Sequence, residues 1–346
     1  MQTKRILSWL LAMILLVSLA ACGEKTPPAG TVTPLPTEAS AAQTDPSVPL
    51  DPTEATTPRE STVTPLLYKV TDQEGHVAWL FGSIHVGRES FYPLPEYVLT
   101  AFDGADALAV EADIIAFEED LGQQMDAIMC LVYTDGTSIK DHISPELYDR
   151  AVAAMTEMGA YMSLFDMYCP AMWSSLVDSL MLETVPGIDI NLGIDRHLLE
   201  RAKAAEKPII EIESAKEQYE MLASFSPELQ ALLLESSLDS CEDPKAYEAS
   251  ISLLLKMWAD GNEEALAAYM SETDSTQEMT PEEEALYEEY NKAMLNVRNV
   301  GMADYAVEAL ESGREVFICV GAAHVVGNGA LVELLTEYGY TVEVVK

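Results

Sequence analysis

The chain has 346 residues, of which 58 are acidic and 19 are basic, so its formal net charge at pH 7 is −39. An excess of carboxylates on this scale repels phosphate groups, which argues against nucleic acid and against an anionic lipid surface as partners. Acidic runs such as Glu282–Glu284 are typical of solvated helix faces, and we favour that interpretation over calcium capture or a basic partner.

Residues 1–21 have the pattern of a secretory signal. Two basic residues, Lys4 and Arg5, precede a largely apolar run of 15 residues, which is short for a membrane span of about 20 residues. Leu19–Cys22 then reads Leu-Ala-Ala-Cys, which resembles a bacterial lipobox. We expect cleavage before Cys22, lipidation of its thiol and an extracytoplasmic protein anchored to a bacterial cell membrane. An ordinary cleaved signal or an uncleaved anchor is the alternative.

Residues 22–64 are expected to form a disordered tether. From residue 23 to 64 there is no aromatic residue, and eight Pro stand among Thr, Ser, Ala and Glu. Such a segment buries too little apolar surface to offset its ordering entropy. Residues 65–346 have a globular composition, long enough for one large α/β domain with helical insertions.

Strand-like and helix-like patterns alternate along this body, which indicates an α/β fold with a largely parallel central sheet flanked by helices. It opens with a predicted β-hairpin. The predicted strands are 66–71, 76–81, 105–111, 207–213, 315–320 and 340–345, and the helices between them are 95–103, 194–205, 294–312 and 329–338.

Two further stretches, at about 114–185 and 214–290, show helical spacing of apolar residues and no good strand. Ser144-Pro145, Ser226-Pro227 and Thr280-Pro281 are helix start signals within them. We expect these helices to form a lid or second lobe over the sheet.

The cysteines give no metal motif, because no Cys-x-x-Cys occurs. Outside the cytoplasm a disulfide could form, but the spacing of Cys130, Cys169, Cys241 and Cys319 does not identify one. Cys319 lies in an apolar strand and is expected to be a small buried hydrophobe.

The most informative pattern is a repeated Gly-x-x-His. Gly82–His85 and Gly321–His324 each follow an apolar, strand-like run. Each motif is expected in a loop at the carboxyl end of a strand, where open α/β sheets place their ligands. His85 and His324 are therefore candidates for a metal site or an acid/base pair, and the alternative is two histidines that serve packing.

Carboxylates and one arginine are further candidates. Glu111 ends the third strand and could ligate a metal or activate water, although taken alone the pattern favours a strand-end surface acid. Asp113 would lie on the same side if the strand continued. Asp195 stands at a helix start, where an N-cap is the routine role. Arg298 could bind a carboxylate or stabilise an oxyanion, or form an ordinary ion pair. The other histidines, His76, His142 and His197, are interpreted as structural or exposed.

The order of these segments resembles the TraB/PrgY/GumN family across residues 66–346. The segments that carry the resemblance are 80–85, 94–95, 110–113, 193–195, 207–213, 298–303 and 320–327. The resemblance implies an α/β core, similar to that of the erythromycin esterase and ChaN group. His85, Glu111 and His324 match its central positions and Arg298 matches its Arg-Asn segment, which implies a hydrolytic, metal-dependent site.

We therefore predict a surface lipoprotein with a metal-dependent hydrolase domain, specifically a peptidase. His85, Glu111 and His324, with Asp195, would hold Mn²⁺, Co²⁺ or Zn²⁺, and an oxygen-rich ligand set favours Mn²⁺ or Co²⁺. The catalytic group would be His85, Glu111, His324 and Arg298, acting on a peptide or small-molecule substrate. Two alternatives stay open: a surface receptor for a peptide, pheromone or haem, and a metal-free esterase with His as general base.

Overall fold

The structure is a computed structural model, and it describes residues 60–271 and 279–345. The predicted signal peptide, Cys22 and the tether up to residue 59 lie outside the described residues. Six strands form one sheet: β1 (Leu67–Thr71), β2 (Val77–Ser83), β3 (Ala107–Val110), β4 (Ile209–Glu211), β5 (Val316–Gly321) and β6 (Thr341–Val345).

The sheet has the order β4-β3-β5-β2-β1-β6. The pairs β4/β3, β3/β5 and β5/β2 are parallel, whereas β1 pairs antiparallel with both β2 and β6. This mixed, mostly parallel sheet with an N-terminal hairpin confirms the predicted fold class. β3 is buried throughout and β5 nearly so, as expected for central strands that are covered on both faces.

Helices flank the sheet and fill the two stretches that the sequence assigns to helical insertions. The α-helices before β4 are α1 (Glu96–Gly104), α2 (Ile114–Glu119), α3 (Leu121–Met129), α4 (Pro145–Glu157), α5 (Pro170–Glu183) and α6 (Ile194–Ala204). After β4 come α7 (Ala215–Ala223), α8 (Pro227–Glu242), α9 (Pro244–Ala259), α10 (Glu263–Ser271), α11 (Pro281–Asn291), α12 (Val297–Glu311), α13 (Ala322–Val325) and α14 (Leu331–Glu337).

The described residues also include five short helical turns. Four are 3₁₀ helices, and Lys292–Asn296 forms a π-helical turn that leads into α12. The 3₁₀ helices are Glu89–Phe91, Ile139–Asp141, Ser163–Met167 and Ile190–Leu192. None of the helices in the described ranges combines the length and the hydrophobicity that crossing a bilayer requires.

The predicted helix starts are observed with their capping contacts. The hydroxyls of Ser144 and Ser226 accept hydrogen bonds from the backbone N–H of the third residue of their helices, Leu147 and Leu229. Thr280 forms a reciprocal capping box with Glu283. Residues 61–64 lie against the body: Val63 is buried, and the Thr64 N–H donates to the carbonyl of Ala259 over 2.7 Å.

Two local expectations differ from the structure. β2 continues through Gly82 to Ser83, because the parallel ladder with β5 extends to the pair Ser83 and Gly321. His324 was expected in a loop but lies in the short helix α13, whose N-cap is Gly321. Two alanines follow that glycine, and alanine is the strongest helix former. The second motif therefore turns directly from strand into helix.

Asp178 of α5 is a buried acid in the helical part. It is 6 % exposed, and within the described chain neither of its carboxylate oxygens has a hydrogen-bond partner. Burial raises the pKa of Asp178 to about 7. The folded state therefore holds a proton that the unfolded chain releases near pH 4, so this residue lowers stability progressively as pH rises from about 4 to about 7.

We accordingly expect Asp178→Asn to raise the free energy of unfolding at pH 8, by up to about 4 kcal/mol for a shift of about three pH units. At pH 4 the carboxyl is protonated in the folded state and about half ionised in the unfolded chain, so the gain should fall to well under about 1 kcal/mol. Urea unfolding at the two pH values measures the difference. A gain that is the same at both would show that ionisation of Asp178 is not its cause.

Candidate functional site

Three strand ends meet at one edge of the sheet. In the β2/β5 ladder Ser83 pairs with Gly321, so the two Gly-x-x-His segments leave the sheet side by side. In the β3/β5 ladder Val110 pairs with Cys319, which places Glu111 at the same edge. Parallel strands that end together deliver their following residues to a common crevice.

A cleft of about 540 Å³, counted with the space that opens to solvent, lies at this edge. Of the predicted site residues, His85, Glu111 and Asp195 line it, whereas His324 and Arg298 are buried outside its lining. The lining residues are Ser83, His85, Val110, Glu111, Ala112, Ile114, Ile190, Asp195, Arg196, Gln218 and Cys319. A cleft lined by both apolar and polar side chains is the usual setting of a small-ligand site.

Asp195 orients His85. Nδ1 of His85 lies 2.7 Å from Oδ2 of Asp195, and α6 is fixed beside the motif because the Ile194 N–H donates to the Ile84 carbonyl over 2.9 Å. Burial disfavours the charged imidazole, but the charge and hydrogen bond of Asp195, with the charge of Glu111, outweigh it and raise the pKa of His85 to about 9. The other oxygen of Asp195, Oδ1, is buried and has no hydrogen-bond partner among the described residues.

Asn299 orients His324. The Asn299 side-chain amide donates to the Gly329 carbonyl over 2.8 Å, which leaves its Oδ1 to accept from Nδ1 of His324 over 2.7 Å. Nδ1 therefore carries the hydrogen, and Nε2 has the free lone pair. Burial, and then the positive charge of Arg298, lower the pKa of His324 to about 3, so its imidazole is neutral. Its Nε2 lies 3.9 Å from Oε1 of Glu111.

Glu111 lies between the histidines and is bound on both oxygens. Oε2 accepts from Nη2 of Arg298 over 2.6 Å, and Oε1 accepts from the Gly321 backbone N–H over 2.6 Å. Although burial opposes ionisation, Arg298 and the two imidazoles hold the pKa of Glu111 well below its usual range. Glu111 is therefore a permanent negative charge at the centre of the site.

Arg298 also binds Glu213. Its Nε and Nη2 donate to the Glu213 carboxylate over 2.7–3.0 Å, and its Nη1 donates to the Met294 carbonyl. The Glu213 N–H in turn donates to the Glu111 carbonyl, which continues the sheet beyond β4. Arg298 thus holds two carboxylates together, and these two charges raise its pKa despite its burial.

Glycine is required at two positions by close packing. A Cβ on Gly82 would lie 3.0 Å from Cα of Ala322, so this residue lets α13 rest on the end of β2. A Cβ on Gly193 would lie 2.5 Å from the His85 carbonyl oxygen, so this residue lets α6 approach His85. Both glycines therefore help to bring the two histidines into place.

The structure brings His85, Glu111, His324, Arg298 and Asp195 together. Asp195 does not cap α6, whose N-cap is Gly193. Asp113 lies elsewhere: because β3 ends at Val110, its side chain is the N-cap of α2 and pairs with Lys203. His76, His142 and His197 are outside the cleft lining, and they contact Asp72, Tyr133 and Tyr92 respectively.

Sequence reasoning did not single out several polar residues of the site, because their roles follow from spatial contacts. Glu213 and Asn299 lie within segments that carry the family resemblance, but no role was predicted for either. The others are Ser83, Arg196 and Gln218. Two sequence features could have indicated these roles: Glu213 is an acid at the end of a predicted strand, and Asn299 is an amide next to Arg298.

No group of three or more His, Cys, Asp or Glu side chains in residues 60–271 and 279–345 has the arrangement of a formed metal site. The two imidazoles are held through Nδ1, which is the usual way in which a protein leaves Nε2 for a ligand or a proton. The cysteines described here, Cys130, Cys169, Cys241 and Cys319, are free thiols.

Fold and site together define an α/β protein whose functional edge carries paired histidines around a carboxylate. Residues 66–344 match the TraB/PrgY/gumN family, so the chain belongs to that family. It is 28 % identical over 256 residues to "Uncharacterized protein YbaP" of Escherichia coli (strain K12), which covers 74 % of this chain and 86 % of that protein. The protein of the same name in Shigella flexneri gives the same figures. A comparison with solved structures gave no match.

Proposed function

We propose that this chain is a metal-dependent hydrolase that cleaves peptides outside the cytoplasm. The observation that carries the proposal is that His85, Glu111 and His324 follow three neighbouring strand ends. His85 and Glu111 line the cleft, and the buried His324 lies beside Glu111, with Nε2 3.9 Å from Oε1. The two histidines lie 239 residues apart in the sequence. Packing alone does not need two imidazoles beside a buried carboxylate, since buried ionisable groups are costly and concentrate at functional sites.

The donor types of the site, rather than their present spacing, suit a divalent cation, since no three of them in the described residues are arranged around a common point. His85 and His324 would supply Nε2 and Glu111 would supply a carboxylate oxygen. Asp195 was predicted as a further ligand, but its carboxylate is bonded to Nδ1 of His85 and therefore lies too far from an ion on Nε2 to bind it directly. A mixed nitrogen and oxygen set of this kind suits Mn²⁺, Co²⁺ or Zn²⁺. Such an ion, when bound, lowers the pKa of a coordinated water and supplies hydroxide at neutral pH.

The remaining groups have supporting roles. Asp195 and Asn299 fix the ring orientation of His85 and His324, as outer partners of ligating histidines do. Glu111 is better suited to charge stabilisation or ligation than to proton transfer, because Arg298 and the Gly321 N–H already bind its oxygens. Arg298 is therefore a positioning residue in this proposal.

Removal of metal tests the proposal directly. Purified protein should contain about one equivalent of Mn²⁺, Co²⁺ or Zn²⁺ by elemental analysis, and a chelator should abolish cleavage of a peptide library. Adding back the ion should restore cleavage, because the ligand residues do not depend on the metal for their place in the sheet. Cleavage that persists in metal-free protein would contradict metal dependence, and tight ligand capture without cleavage would favour a receptor instead.

A metal-free hydrolase is the second candidate, and the His85–Asp195 pair favours it. An imidazole whose Nδ1 is held 2.7 Å from a carboxylate has the arrangement of a general base. In that case His85 would accept the proton of water at Nε2 only after losing its own proton, so activity should rise as pH increases towards about 9. Full activity in metal-free protein, together with loss of activity in Asp195→Asn, would select this candidate.

We further propose that the protein is anchored to the outer face of a bacterial membrane through a lipid on Cys22. Cys22→Ser removes the acceptor thiol, so we expect the variant to leave the membrane fraction or to accumulate with its signal uncleaved. Fractionation and mass spectrometry of the mature N-terminus check this result. A mature end far from residue 22 and without lipid would contradict it.

A further inference from the structure

Arg196 is the second arginine of the site, and unlike Arg298 it has a side-chain N–H without a hydrogen-bond acceptor among the described residues. It lines the cleft next to Asp195, and its side chain is 11 % exposed. Nη2 donates to Glu118 of α2, whereas Nε is buried and has no hydrogen-bond partner among the described residues. By contrast, Arg298 donates from all three of its nitrogens.

A mostly buried guanidinium that lines a cleft and has an unpaired Nε–H is a candidate anion-binding group. Arginine presents five N–H donors in a rigid fork that matches a carboxylate, and an unsatisfied buried donor is unfavourable. A ligand carboxylate would remove that deficit. The low dielectric of a mostly buried site would strengthen the contact.

The rest of the cleft limits the kind of molecule that could bring this carboxylate. Val110, Ile114 and Ile190 line it beside Arg196, so an apolar group fits next to the charge. Asp195, the neighbour of Arg196 in sequence, is bonded to His85. A molecule bound through its carboxylate at Arg196 would therefore lie close to the reacting centre.

We infer that Arg196 binds a free carboxylate of the substrate, so that the substrates are short peptides or acylated amino acids that end in an apolar residue with an unblocked C-terminus. This inference rests on the proposed hydrolytic function for its substrate class, but its binding step does not require turnover. It also explains a feature that the net charge of −39 makes unexpected, namely a cation left partly unpaired inside an acidic protein.

Glu118 provides an internal check, because it competes with a ligand for the same guanidinium. Glu118→Gln removes the competing charge and should tighten the binding of an acid. Arg196→Met removes the anion site and should weaken it. Arg201→Met is the matched control, since Arg201 lies on the same helix, is paired with Asp103 and is outside the cleft lining.

The test compares N-acetyl-alanyl-leucine with its C-terminal amide by calorimetry, using full-length protein and the variants with unchanged thermal melting. We expect the acid to bind more tightly than the amide, by about 10- to 100-fold for a charge-assisted pair. Arg196→Met should abolish that preference without changing the amide, Arg196→Lys should retain part of it, and Arg201→Met should leave it intact.

The outcomes separate this inference from the proposed function. If the acid is preferred through Arg196 but no peptide is cleaved, the carboxylate site stands and the hydrolase proposal fails. If peptides are cleaved with equal KM for acid and amide, and Arg196→Met changes neither value, the hydrolase proposal stands and the carboxylate site is wrong. Equal binding of the two compounds, or binding of neither, would also overturn the carboxylate site.

Discussion

Replacing either His85 or His324 by alanine should lower kcat/KM for peptide cleavage by about 10²- to 10⁴-fold, the usual contribution of a catalytic imidazole. Each ring is bound through Nδ1 and presents Nε2 to the site, so alanine removes the functional nitrogen. His85 is partly exposed, so its variant should remain folded, whereas His324 is 2 % exposed and its variant should lose some stability. Kinetics with a cleaved peptide, and melting curves, measure the two properties separately.

Replacing the residue that orients His324 should also lower activity, but by less than replacing His324 itself. Asn299→Ala leaves Nδ1 of His324 without its acceptor, so we expect a loss of about 10- to 100-fold, the range known for outer partners of ligating residues. His76→Ala is the control, because His76 lies in the hairpin turn and bonds to Asp72. Unchanged activity in the double variant of His85 and His324 would reject the catalytic assignment.

The sequence predicted the parts of the site that depend on single strands. β2 and β5 are apolar runs that end in Gly-x-x-His, and a parallel sheet brings such ends together. Glu111 follows β3 in the same way. What periodicity could not predict is the register, in which Ser83 stands opposite Gly321 and puts the two motifs next to each other.

The polar partners of the site were harder to predict, because they come from elements that are distant in sequence. Asn299 and Arg298 lie at the start of α12, directly after the π-helical turn Lys292–Asn296. A helical pattern in the sequence gives no signal for such a turn, which is common at functional sites. Glu213 reaches Arg298 because the sheet contacts continue past β4, which is shorter than the sequence suggested.

Glu111, Glu213 and Arg298 are all charged and at least partly buried, and the energetic cost of burying them bears on whether they serve folding or activity. Glu111, Glu213 and Arg298 exchange short hydrogen bonds, and the arginine side chain is 7 % exposed. A buried ion pair gains little over well-packed apolar residues, but removing one partner leaves an uncompensated charge. Under the proposed function, this network is kept because the charge of Glu111 is used beside the imidazoles.

Arg298→Met should accordingly lower the free energy of unfolding by about 3–5 kcal/mol, because two buried carboxylates would lose their counter-charge. Arg150→Met is the matched control: Arg150 also binds two carboxylates, Asp239 and Glu242, but it is 30 % exposed, so its loss should cost about 1 kcal/mol or less. Urea unfolding of both variants measures the contrast.

Neutralising the orphaned acids distinguishes a stabilising network from a functional one. Adding Glu111→Gln and Glu213→Gln to Arg298→Met removes the buried charges that the arginine had compensated, so much of the lost stability should return. Activity should not return with it, because Glu111 would no longer carry its charge between His85 and His324. Recovery of stability and cleavage together would show that Glu111 serves the fold alone, and equal stability losses in Arg298→Met and Arg150→Met would show that burial of the network has no energetic consequence.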